Sequence, residues 1–131
     1  MKNTIFLLLV LLSGCITQSQ PVQPPAVFSE EVFFCPEDDC ALNLVEQIDS
    51  AKTSIDIAIY SFTLDEIADA LIRAKNRGVK VRVLFDSGQA SSKYSEDERL
   101  VENGVEVKLE DVGSGIMHNK FMVVDNRVVI T

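Results

Sequence analysis

Apolar residues recur along this chain with two spacings, and the change from one spacing to the other predicts strands separated by helices. Alternating or short continuous apolar runs predict six strands, at residues 32–34, 54–62, 79–85, 105–109, 118–124 and 127–130. The last two are joined by Asp125-Asn126, which predicts a tight hairpin turn. Residues 79–85 end in a continuous apolar run, which is typical of a strand that is covered on both faces.

Three segments between these strands carry apolar residues three or four positions apart, which predicts helices with a buried stripe. Asp38 or Asp39 can cap the first helix. Residues 63–66 and 95–98 have the sequence of capping boxes and predict the starts of the other two, while Gly78 predicts the end of the second. The order β-α-β-α-β-α-β followed by a hairpin predicts an α/β fold, with a mixed β-sheet flanked by helices.

The first 27 residues are typical of a targeting segment and a linker. Lys2 and the apolar residues 5–12 form a signal sequence too short to span a bilayer. Leu12-Ser13-Gly14-Cys15 resembles the lipobox of prokaryotic lipoproteins, in which a lipid is added to the cysteine; an ordinary secretory signal with an incidental Cys15 is the alternative. We therefore predict a protein lipid-anchored to the membrane outside the cytoplasm, or otherwise secreted, with a signal peptide, a Pro- and Gln-rich linker and a domain over residues 1–14, 15–27 and 28–131.

The charge of the chain limits its partners. Twelve Lys and Arg stand against 20 Asp and Glu in 131 residues, a formal charge of -8. Such a surface repels a phosphate backbone, which argues against a general nucleic-acid binder but is compatible with a nuclease that has a small basic cleft. A cluster of basic residues surrounds the end of the second predicted helix and the next strand: Arg73, Lys75, Arg77, Lys80 and Arg82. A solvated helix face explains this cluster better than a path for nucleic acid does, and we assign none of its residues to substrate.

Cys35 and Cys40 lie five positions apart in Cys-Pro-Glu-Asp-Asp-Cys. Outside the cytosol, a disulfide is the favoured interpretation, and it would join a strand end to a helix start. Free buried thiols and a metal site are the alternatives, although a metal site would need two further ligands. We predict neither a bound metal nor a cofactor.

The candidate chemistry lies in the segment His-Asn-Lys-Phe-Met-Val-Val-Asp, which begins at His118, the only histidine of the chain. On a strand, His118 and Lys120 point to the same face, and we expect Phe121 and Val123 to point to the other, into the core. A neutral imidazole can attack phosphorus while an ammonium beside it holds a phosphate oxygen, and this chemistry requires no metal. The spacing alone also fits a solvated strand face on which His118 is merely exposed.

The same segment resembles the His-x-Lys-x4-Asp signature of the phospholipase D superfamily. The similarity extends to residues 48–56, 60–63, 70–71, 77–83 and Asp86, as in small single-motif members of the bacterial endonuclease type and the mitochondrial cardiolipin hydrolase type. The resemblance implies metal-independent hydrolysis or transfer of phosphodiesters through a phosphohistidine. It implies that His118 is the nucleophile or general acid and that Lys120 holds the phosphate. Asp125 matches the third position of the signature, but we expect a structural role, because it lies five positions after Lys120 and therefore on the opposite face of a regular strand.

Two further expectations follow from the resemblance. A chain with one such motif pairs as a homodimer, so that two motifs form one site. Members of the family continue beyond the returning strand with Gly-Ser-x-Asn, so we expect this chain to be incomplete at its C-terminus. The predicted function is a phosphodiesterase acting on nucleic acid or phospholipid, and the small size and single motif favour the endonuclease type. The alternatives are a catalytically inactive, truncated interaction module and a structural lipoprotein whose motif is coincidental.

Overall fold

A five-stranded mixed sheet forms the centre of the fold, with its strands in the order β3-β2-β1-β4-β5. They are β1 (Ser54–Ile59), β2 (Lys80–Asp86), β3 (Glu106–Glu110), β4 (Lys120–Val124) and β5 (Val128–Ile130). β1, β2 and β3 run parallel, and β4 runs antiparallel to β1 and to β5. The computed structural model describes residues 28–131; the predicted signal peptide, Cys15 and the linker of residues 15–27 lie outside them.

In the part of the chain that the structure describes, four helices accompany the sheet: α1 (Cys40–Ser50), α2 (Asp65–Asn76), α3 (Ser87–Ala90) and α4 (Asp97–Glu102). α1 packs against α2, and α2 packs against α4. The predicted α/β fold with a mixed sheet flanked by helices is therefore confirmed. Within residues 28–131, no helix combines the length and the apolar character needed to cross a bilayer.

The core lies between the helices and one face of the sheet. Its largest fully buried side chains come from both layers: Phe85, Ile48, Ile55, Leu71, Leu100 and Val83. Each such side chain contributes roughly 1.5–3 kcal/mol of transfer free energy when it leaves water. The apolar spacings that predicted these elements therefore mark the residues that hold the sheet and helices together.

Within residues 28–131, the helices cover one face of the sheet. Along β2, Val81 and Val83 are buried whereas Lys80 and Arg82 are exposed, so the prediction of a strand covered on both faces is wrong. The apolar run at the end of β2 is continuous because it includes Leu84, which lies on the uncovered face. There Leu84 is half-buried between its neighbours.

The same arrangement decides which residues of β4 enter the core. Met122 and Val124 are buried, whereas Phe121 is 38% exposed, so the prediction that Phe121 and Val123 project into the core is wrong. Met122 pairs with Ile57 and Val124 pairs with Ile55, which places them on the helix-covered face. Lys120 lies two positions before Met122 and therefore on the same face of β4. Its side chain is exposed, because the helices do not cover this end of the strand.

The helix termini follow the predictions in part. Asp39 caps α1 by accepting a hydrogen bond from Leu42 N at 3.3 Å, and Gly78 ends α2 with a φ of +92°, which a residue with a side chain rarely adopts. Both predicted capping boxes are wrong, because the cap positions of α2 and α4 hold Leu64 and Glu96. In the second case a tertiary contact sets the start, since Glu96 N donates to the carbonyl oxygen of Phe62 at 3.1 Å.

Residues 32–34 are not a strand, contrary to the prediction. Phe34 N donates to the carboxylate of Asp38, and Asp38 N donates to Phe34 O, so the backbone pairs locally instead of with the sheet. A disulfide joins Cys35 to Cys40, across this turn and into the first residue of α1. The disulfide therefore closes the turn before a helix and does not join a strand to one.

Candidate active site

His118 and Lys120 meet at the edge of the sheet where the parallel strand β1 ends. β4 begins at Lys120, which pairs with Ile59, the last residue of β1. Lys120 Nζ lies 3.0 Å from His118 Nε2 and 3.4 Å from the carbonyl oxygen of His118. Both residues are exposed, so a phosphate group can reach them from solvent. The carboxyl edge of parallel strands is the usual place for a ligand in an open α/β sheet.

The contact with Lys120 selects one tautomer of the neutral imidazole. An ammonium group only donates hydrogen bonds, so Nε2 must accept and the ring proton lies on Nδ1. A phosphate oxygen that bound the Lys120 ammonium would compete with His118 Nε2 for the same N–H donors. Such a contact would leave the Nε2 lone pair free, and a neutral imidazole nitrogen with a free lone pair is a nucleophile.

Tyr60 also lies at the site, and no spacing in the sequence identifies it as a neighbour of His118. Its ring centroid lies 4.7 Å from that of His118, and Lys120 Nζ lies 5.3 Å from the Tyr60 centroid. Tyr60 N also donates to the carbonyl oxygen of Asn119 at 2.8 Å. Phe62, two residues further along, is buried and stacks on Phe85, with 5.9 Å between ring centroids. β1 ends at Ile59, and Tyr60 lies in the bend that follows. The alternation of a strand does not predict where a side chain points in a bend, so the sequence did not place Tyr60 beside His118.

Asp86 fixes the segment that leads into the motif. Its carboxylate is buried at the end of β2, where Oδ2 accepts from Met117 N at 2.8 Å and Oδ1 accepts from Gln89 N at 3.1 Å. The first bond holds the residue next to His118, and the second holds the start of α3. One carboxylate thus sets where the chain enters the site.

Replacing Asp86 by alanine is expected to lower the free energy of unfolding by about 2 kcal/mol, because the two backbone N–H groups lose their shared acceptor. Urea denaturation measures this change. Asp65→Ala is the control, since Asp65 is an exposed residue of the first turn of α2 and its loss should cost only a few tenths of a kcal/mol. Equal stabilities of the two variants would show that Asp86 does not anchor the segment.

Asp125 lies at the far end of β4, away from His118 and Lys120. Its carboxylate accepts four hydrogen bonds, from Lys52 N at 2.9 Å, Thr53 N at 2.7 Å, Thr53 Oγ1 at 2.8 Å and Ser54 N at 2.9 Å. These donors, with the backbone N–H of Ser54 first among them, hold the pKa of Asp125 far below its ordinary value. Asp125 and Asn126 both have positive φ and form the predicted hairpin turn. This geometry is that of a structural residue.

The arginine side chains of the basic cluster bind carboxylates of the protein itself. Arg73 and Arg77 both pair with Asp49, and Arg82 pairs with Asp56. The guanidinium of Arg73 lowers the pKa of Asp49. These contacts support a structural interpretation of the cluster. Among residues 28–131, no group of three or more His, Cys, Asp or Glu side chains is arranged to hold a metal ion.

Known proteins are similar to this chain in sequence and in fold. Residues 44–131 match the family model described as "Cardiolipin synthase, PLD-like domain". The mitochondrial cardiolipin hydrolase of Drosophila melanogaster is 41% identical over 95 residues, which cover 70% of this chain and 37% of that protein. The phospholipase D of Rickettsia prowazekii is 38% identical over 98 residues, which cover 75% of this chain and 47% of that protein.

A solved structure agrees with these matches. The crystal structure of Nuc from Salmonella typhimurium, a phospholipase D family member, superposes with a TM-score of 0.67 at 34% identity, covering 72% of this chain and 63% of that chain. The matched part of the chain spans less than half the length of the two curated relatives. The family model covers both His118 and Lys120, and the solved structure has the same fold. The chain belongs to the phospholipase D superfamily.

Proposed function

We propose that this chain supplies half of a metal-independent phosphodiesterase site, in which His118 is the nucleophile or general acid and Lys120 holds the phosphoryl oxygens. The observation that carries the proposal is the 3.0 Å contact between Lys120 Nζ and His118 Nε2 at an exposed edge of the sheet. A nucleophilic nitrogen and a fixed positive charge can then act on one phosphate at the same time.

In the proposed reaction, His118 Nε2 attacks phosphorus, a P–N bond forms and the P–O bond to the leaving group breaks. A second imidazole protonates the leaving oxygen as a general acid. That imidazole then takes a proton from water as the water oxygen attacks phosphorus, and cleavage of the P–N bond regenerates His118. Lys120 stabilises the negative charge on the phosphoryl oxygens in both steps.

We propose that the second imidazole comes from a second copy of the chain in a homodimer. The chain has one histidine, and that histidine cannot hold the phosphoryl group and protonate the leaving oxygen in the same step. A two-fold axis that brings two copies together would supply a second His118 and a second Lys120 to the same phosphate. The dimer is therefore part of the proposed mechanism.

The proposed substrate is a diester of nucleic acid or of phospholipid. Two relatives are named as a cardiolipin hydrolase and a phospholipase D, which favours phospholipid. The formal charge of -8 and the ion-paired arginines also weigh against a long nucleic-acid track. Supercoiled plasmid DNA and phosphatidylcholine vesicles, each incubated with the full chain in EDTA, distinguish the two substrates.

We further propose that the domain works outside the cytoplasm on a lipid anchor at Cys15. The proposal rests on the sequence Leu-Ser-Gly-Cys and on the linker that follows it. Membrane fractionation of cells that produce the full chain tests it. Recovery of the protein in the soluble cytoplasmic fraction would contradict it.

Replacing Lys120 by methionine is expected to lower kcat/KM for bis(4-nitrophenyl) phosphate in EDTA by about a hundredfold to a thousandfold. Methionine retains most of the side-chain length but removes the positive charge beside Nε2. Lys80→Met is the matched control, because Lys80 is exposed at the start of β2, at the opposite end of the sheet. Full turnover by Lys120→Met, or an equal loss in Lys80→Met, would contradict the role of Lys120.

A catalytically inactive interaction module is the competing function. It predicts that the folded, dimeric chain hydrolyses neither the model diester nor the two natural substrates above the rate of His118→Ala. Hydrolysis in EDTA that requires both His118 and Lys120 would exclude this alternative.

A further inference from the structure

We propose that Tyr60 is a positioning residue, which holds the Lys120 ammonium against His118 Nε2 and keeps the imidazole in its reactive orientation. This inference rests on the proposed function, because it names a residue that sustains the same pair. Tyr60 does not touch the reacting atoms in this proposal, and it acts through its two neighbours.

The first observation concerns what restrains Lys120. Within residues 28–131, Lys120 forms no ion pair with a carboxylate, and its Nζ lies over the Tyr60 ring at 5.3 Å from the centroid. The negative face of an aromatic ring attracts an ammonium group. A carboxylate would compete with an anionic phosphate for the same ammonium, whereas a neutral ring leaves its charge available to substrate. The ring therefore restrains the lysine without neutralising it.

The second observation concerns the orientation of the imidazole. The His118 and Tyr60 rings are 4.7 Å apart between centroids and inclined by 60°, a tilted geometry that aromatic pairs favour. His118 is otherwise exposed, so this contact limits the rotation of its ring. Because the ring is held, Nε2 faces Lys120 Nζ.

The third observation concerns the backbone. Tyr60 N donates to the carbonyl oxygen of Asn119, the residue between His118 and Lys120, at 2.8 Å. The main chain of Tyr60 thus fixes the motif at the end of β1, and its side chain contacts both motif residues from the same place. Tyr60 therefore links the end of β1 to the segment that begins β4.

The test is the tautomer of His118, which nitrogen-15 NMR reports without interference because the chain has one histidine. At about pH 8.5, where an unperturbed imidazole is neutral, the wild-type ring should carry its proton on Nδ1. Tyr60→Leu should shift the ring toward the Nε2–H form that free histidine prefers, as Lys120→Met should. Tyr60→Phe keeps the aromatic face and should retain the wild-type tautomer.

Tyr94→Leu is the matched control. Tyr94 is the other tyrosine of the chain, is 65% exposed and has Lys93 Nζ at 4.7 Å from its ring centroid, so the substitution removes a similar contact from a different loop. The His118 tautomer should not change. With bis(4-nitrophenyl) phosphate as substrate, Tyr60→Leu should lower kcat on the order of tenfold, whereas Tyr60→Phe and Tyr94→Leu should remain near wild type.

The two readouts separate the failure of this inference from the failure of the proposed function. A Tyr60→Leu variant that keeps the Nδ1–H tautomer, while Lys120→Met loses it, would overturn the positioning role whether or not the chain turns over. A wild-type chain with no turnover would overturn the proposed function alone. In that case, loss of the tautomer in Tyr60→Leu and its retention in Tyr60→Phe would still establish that Tyr60 positions the pair.

Discussion

Replacing His118 by alanine is expected to lower the turnover of bis(4-nitrophenyl) phosphate in EDTA by at least about a thousandfold. The proposed mechanism uses this imidazole twice in each dimer, once to form the P–N bond and once to move the proton of the leaving group or of water. Removal of a covalent nucleophile costs an enzyme on the order of a thousandfold to a millionfold in kcat. His118 is exposed, so alanine should leave the stability of the fold unchanged.

Mixtures of wild-type and His118→Ala chains test the shared site. If two chains complete one site, activity after subunit exchange should follow the square of the wild-type fraction, giving about one quarter of the full activity in an equal mixture. Chains that work alone would give about one half. A linear dependence on the wild-type fraction would therefore exclude the dimeric mechanism, even if His118 is essential.

Replacing Asp125 by alanine is expected to lower the melting temperature by roughly 10 °C, the largest loss of stability that we predict for a single polar side chain. The carboxylate accepts four hydrogen bonds from residues more than 70 positions earlier in the chain, and it ties the β4-β5 turn to the start of β1. Alanine would leave these donors without their acceptor. Differential scanning calorimetry at neutral pH measures the change.

The same carboxylate makes the stability of the fold sensitive to acid. Because the folded protein lowers the pKa of Asp125 from its ordinary value of 3.8, its stabilising contribution is fully present above that value. The contribution is lost progressively as the pH falls below it, since the unfolded chain takes up the proton first. Melting curves from pH 7 down to about pH 2 should therefore show a steeper loss of stability in the wild type than in Asp125→Asn.

Asp111→Ala serves as the control for Asp125→Ala. Asp111 accepts one local hydrogen bond, from Gly113 N at 2.8 Å, within an exposed loop. Its replacement should change the melting temperature by no more than about 2 °C. A similar small change in Asp125→Ala would show that the four hydrogen bonds do not secure the hairpin.

Some features of the site follow from short-range patterns. His118 and Lys120 are two positions apart, so a local spacing already predicts that they lie together, although β4 begins at Lys120 and His118 precedes it. The hairpin turn at Asp125-Asn126 and the glycine that ends α2 are also local, because a few backbone dihedrals decide them. The five strands of the sheet and the helices α1, α2 and α4 follow for the same reason, since each apolar spacing belongs to a single element, whereas the predicted strand at residues 32–34 is absent and α3 was not predicted.

Other features depend on contacts between distant parts of the chain. The approach of Tyr60 to His118, the anchoring of Met117 by Asp86 and the donors that surround Asp125 all require β4 to lie beside β1. The covered face of the sheet, wrongly assigned for Phe121 and Val123, is likewise set by the side on which α1 and α2 pack.

The sequence by itself thus determined the five strands of the sheet, three of the four helices described within residues 28–131, the family and the neighbouring positions of His118 and Lys120, because each of these is encoded in nearby residues. Only the tertiary structure decided which residues support that pair and which face of the sheet is buried. The physical reason is that strand register and helix packing bring together groups that no local spacing relates.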